Sequence, residues 1–70
     1  MTEEEKLRVL IPHWIEHNLE HADEFRRWAG QARDAASDLE AAAEALLRAN
    51  QALTVALEKL GGGLSHNNSH

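Results

Sequence analysis

Apolar residues in this chain recur at intervals of three and four, which restricts it to helices that pack along one stripe. One series runs Leu7, Ile11, Trp14, Ala22 and Phe25, then Trp28, Ala32 and Ala35. A second runs Leu39, Ala42, Leu46, Ala49, Leu53, Ala56 and Leu60. A mean spacing of about 3.5 is that of packed bundles and coiled coils. Strand signals are absent, and Ala, Leu and Glu, good helix formers, dominate residues 39–60. The chain has 70 residues and no cysteine, so one small domain must hold together without disulfides. Such a domain usually needs a staple or a partner.

Local signals place the helix ends. Thr2-Glu3-Glu4-Glu5 reads as a capping box. Pro12 either kinks one long helix or sits in the first turn of a new one after a short N-terminal helix; the second reading is preferred. Ser37-Asp38-Leu39-Glu40 is another S-x-x-E box and predicts the start of the second major helix, with Gly61-Gly62-Gly63 as its stop. The turn then lies near Ala35–Ser37, giving segments 12–35 and 38–60 of matching length. Gly30 marks an alternative, earlier turn, and one continuous coiled-coil helix is a third possibility. The preferred architecture is all-α: an antiparallel helical hairpin with a short N-terminal helix or Pro-kinked extension. Residues 1–63 form the helical domain and residues 64–70 a flexible histidine-containing tail. A lone hairpin leaves half of each apolar stripe wet, so two copies are expected to pair into a four-helix bundle, a homodimer.

The chemistry lies in one stretch, His13-Trp14-Ile15-Glu16-His17-Asn18-Leu19-Glu20-His21-Ala22-Asp23-Glu24. Residues four apart on a helix lie one turn above each other, rotated by about 40°. His13, His17 and His21 therefore form a ladder of imidazoles with carboxylates between them. Imidazole and carboxylate are ligands for nickel, cobalt, zinc and copper(II). His13 and His21 are separated by about 12 Å of helix rise, so all three cannot hold one ion. His17 and His21 are the expected core pair, with His13, Glu20 and Glu24 next. His66 and His70 in the tail repeat the spacing of four and are further candidates if Gly61-Gly62-Gly63 lets the chain turn back.

Each of these residues also has a plain structural role. His21 falls on the predicted buried stripe and would pair with Asn50 or Gln51; His13 and His17 would be solvated. Trp14 and Trp28 read as core anchors. Two further functions follow from the same ladder. One is a structural or dimerisation module whose histidines charge and splay the bundle on mild acidification. The other is haem held by a core-facing His21 from each copy of a dimer, though the chain has no C-x-x-C-H attachment site. The di-metal motif of ferritin-like bundles is E-x-x-H, the reverse of the order found here. No nucleotide-binding or serine-nucleophile motif appears, and an enzyme ranks below a binding protein.

Net charge is −5 with histidines neutral, which disfavours nucleic acid as a partner and suits cations. No apolar run reaches the length of a membrane span, and the acidic start lacks the basic segment of a signal peptide. A cytoplasmic location is expected.

The segment from His13 to Ala22, followed by Phe25 and Trp28-Ala29, resembles a group of small uncharacterised prokaryotic helical proteins. Their shared signature is approximately H-W-x-x-H-N-x-x-H-A. The similarity is clearest over residues 7–30 and covers about half the chain. It implies that His13, Trp14, His17, Asn18 and His21 belong to one pattern, and carries no activity with it. Those relatives tend to place a glycine near the helix turn, where this chain has Ala35-Ala36-Ser37.

Overall fold

The computed structural model describes residues 1–64 and is helical, with two long helices packed against each other. Helix α1 spans Glu3–Ala29 and α2 spans Ala36–Leu60, with a 3₁₀ turn at Arg33–Ala35 between them. Asn18 meets Asn50, and Arg8 meets Gly61 and Gly62, so the helices run antiparallel.

Helix α1 starts as the sequence indicates. The Thr2 side chain accepts from the Glu5 backbone N–H at 3.1 Å, and the Glu5 carboxylate accepts from the Thr2 N–H at 2.9 Å. It then runs without a break through Pro12, so the separate N-terminal helix expected before that residue does not exist. A proline ring removes one N–H, which leaves the carbonyl four residues earlier, that of Arg8, without its helical donor. The Leu64 N–H fills the vacancy at 3.0 Å. Gly63 passes so close to the proline that a Cβ there would stand 3.3 Å from Pro12 Cγ. The chain leaving α2 thus docks on the notch that Pro12 opens.

The end of α2 is a double-bonded glycine cap. Gly61 takes a left-handed conformation at φ 106°, the Gly61 N–H donates to Glu58 and the Gly62 N–H to Leu57. Arg8 holds this cap from α1, donating from Nε to the Gly62 carbonyl at 2.6 Å and from Nη2 to the Gly61 carbonyl at 3.0 Å.

The turn differs from expectation. Helix α1 ends at Ala29, with right-handed Gly30 as its cap. The left-handed residue of the connection is Arg33, at φ 54°. Ser37 does not cap α2, because the 3₁₀ turn runs straight into the helix. The Ala35 N–H already donates to Ala32 and the Ala36 N–H to Arg33. Ser37 is therefore an exposed residue inside the first helical turn. The Gly30–Ala35 connection also rules out one continuous helix.

The seam between the helices follows spacings of four and three. On α1 it carries Ile11, Ile15, Asn18, Ala22, Phe25 and Ala29, every one buried or half-buried. On α2 it carries Leu39, Ala43, Leu46, Asn50, Leu53 and Leu57, again all buried or half-buried. The register set by Asn18 and Asn50 places Ala22 level with Leu46, Phe25 with Ala43 and Ala29 with Leu39. Small residues thus face large ones, which lets the helices approach closely. Trp14 and Trp28 are not core anchors here: they are 41 % and 62 % exposed. The apolar pattern contains two stripes side by side on α1, and the tryptophans belong to the outer one. Among the described residues the buried set is small: Ile11, Ala22, Ala29 and Ala43, with Asn50 beside them.

Candidate histidine site

Helix α1 alone positions the candidate ligands. His13, His17 and His21 sit on three successive turns, all exposed, and line an open groove of about 600 Å³ with Trp14, Asn18 and Leu53. The His13 and His17 ring centroids are 4.3 Å apart, those of His17 and His21 6.5 Å. Two imidazoles on one tetrahedral ion, at about 2 Å per bond, have centroids about 5 Å apart. His13 and His17 are therefore nearer the chelating separation than the His17–His21 pair favoured on sequence grounds.

His21 stands outside the seam. Its ring packs at 28° against Phe25, with centroids 6.4 Å apart, and its Nδ1 lies 3.0 Å from the Glu24 carboxylate. The expected pairing with Asn50 or Gln51 does not occur. Asn50 Oδ1 instead accepts from Asn18 Nδ2 at 2.9 Å, while Asn50 Nδ2 donates to the Ile15 carbonyl at 3.1 Å. A stripe that groups the tryptophans with the core places His21 inside, whereas Asn18 is the residue that faces the seam.

The carboxylates divide in role. Glu24 is bound to Nδ1 of His21, which fixes the ring and leaves Nε2 free, the usual arrangement behind a metal-ligating histidine. Glu20 is exposed on the neighbouring flank. Among the described residues, no three His, Asp or Glu side chains converge closely enough to share an ion. His66 and His70 lie outside the described residues. No helix among those described is long and apolar enough to cross a membrane.

These features define a small all-helical protein of two packed helices with a solvent-facing imidazole ladder. The family model described as "Domain of unknown function (DUF8180)" matches residues 7–60, and the chain belongs to that family. No curated protein and no solved structure shows significant similarity to the chain.

Proposed function

We propose that the chain binds a divalent transition metal, such as nickel, cobalt, zinc or copper(II), through the His13–His17–His21 ladder. The observation that carries this reading is the ladder's geometry: exposed imidazoles on successive turns, two of them 4.3 Å apart, and a third oriented by a carboxylate. One chain offers a neighbouring pair of histidines and too few further ligands. A second copy, joined in a four-helix bundle, supplies the rest. The ion is held and released without a reaction, which suits buffering, delivery or sensing of the metal.

Metal-dependent thermal stability tests the reading. A ligand at a hundred times its Kd stabilises the folded state by about 2.7 kcal/mol, a shift of roughly 10–20 °C for a domain this small. Nickel or zinc should raise the melting temperature of the parent chain and leave that of His17→Ala unmoved. His17 is exposed on the hairpin, so its loss does not disturb the seam between α1 and α2. An equal rise in both proteins contradicts the assignment.

A further inference from the structure

The two helices together present one broad face that the hairpin leaves open. On α1 it carries Leu10, Trp14, His17, His21 and Trp28, a second stripe of four-and-three spacing about 100° round the helix from the seam. Leu10 and Trp14 are each 41 % exposed and Trp28 62 % exposed. The equivalent flank of α2 carries Ala42, Ala45, Ala49, Ala52 and Ala56, of which the middle three are exposed. In an antiparallel pair these flanks lie on the same side. The face thus has a row of bulky residues beside a row of small ones.

We infer that this face is covered by a second copy of the chain, with the two-fold axis parallel to the helices, so that each tryptophan row packs on the partner's alanine row. The face itself holds both halves of the fit. An axis in this direction sets α1 against the partner's α2; an axis across the helices would stack tryptophan on tryptophan. Trp14 then stands level with the gap between Ala52 and Ala56 on the partner, and His21 with that between Ala45 and Ala49. Size agrees as well. A helix of this length is about 37 Å long and a hairpin about 20 Å wide. Such a face approaches the roughly 800 Å² per partner that specific interfaces bury. A hairpin with so few fully buried residues gains its missing core in this way.

This arrangement supplies the second copy on which the metal reading relies, placing His21 of both copies at one level beside the axis, but it requires no ion. The test is therefore run in chelator. Since the chain lacks cysteine, Asp34→Cys accepts a single spin label at the exposed turn. Sedimentation should give a dimer, and dipolar spectroscopy a label separation of about 20–25 Å, because both turns lie at one end. The double substitution Ala49→Glu, Ala52→Glu should give a monomer with unchanged helical circular dichroism. Leu19→Glu, on the opposite flank, should leave the dimer intact. A monomeric parent overturns the inference, as does a separation of about 40 Å, which places the turns at opposite ends. A chelator-resistant dimer that fails to take up metal removes the metal reading and leaves this one standing.

Discussion

Asn18 and Asn50 meet in the middle of an otherwise apolar seam, the amide of one donating to the carbonyl oxygen of the other at 2.9 Å. Asn50 is 8 % exposed and uses its own amide on the Ile15 carbonyl, so its polar atoms are satisfied inside the protein. A buried asparagine pair of this kind sets register, since any slip leaves amides facing leucines. Asn50→Ala strands the Asn18 amide and the Ile15 bond. It should lower stability by about 1–3 kcal/mol in urea unfolding at fixed protein concentration. Replacing both residues by leucine removes the stranded groups with the bonds, and should bring the melting temperature to the parent value or above.

Pro12 has a consequence far along the chain. Its missing N–H frees the Arg8 carbonyl, and Leu64 occupies it. Pro12→Ala restores the helical donor and with it intrinsic helix stability, since proline inside a helix costs about 3 kcal/mol relative to alanine. The Leu64 amide then competes with that donor and should exchange with solvent faster, as measured by hydrogen exchange. Unchanged Leu64 protection would mean that the notch is not what holds the segment.

Arg33 adopts a left-handed backbone at φ 54°, where a side chain carries a steric cost. Glycine relieves that cost and gives back part of the gain through a more flexible unfolded chain. Arg33→Gly should raise stability by about 0.5–1 kcal/mol in thermal unfolding. A loss of stability would show that the Arg33 side chain itself supports the turn.

The features legible in the sequence are those set by neighbouring residues. The Thr2–Glu5 box, the glycine stop after Leu60 and two long helices each follow from a few adjacent positions. Features set by distant partners were hidden. Asn18 and Asn50 look like surface residues until each is opposite the other, and discounting them shifts the apparent core onto Trp14, His21 and Trp28. Pro12 reads as a break when its compensating donor, Leu64, cannot be foreseen. At the turn, the left-handed position falls on an arginine, while Gly30 is right-handed and marks only the end of α1. The histidine ladder was legible as a helical spacing; which two rings stand closest was not, because that depends on side-chain rotation.

Glu24 acts on the metal through His21 in this account. Glu24→Gln keeps a hydrogen-bond acceptor and removes the carboxylate charge 3.0 Å from Nδ1 of His21. Metal affinity should fall about 10–100-fold by calorimetric titration. Acidification should weaken binding in parent and variant alike, because protons compete for the same ring nitrogens.

The most direct measurement is the metal content of the protein after equilibration with equimolar nickel, cobalt, zinc and copper and exhaustive dialysis, by inductively coupled plasma mass spectrometry. Parent and His17→Ala are measured side by side. The parent should retain one ion per two chains and the variant none. No retained metal, or equal retention in both proteins, would contradict it.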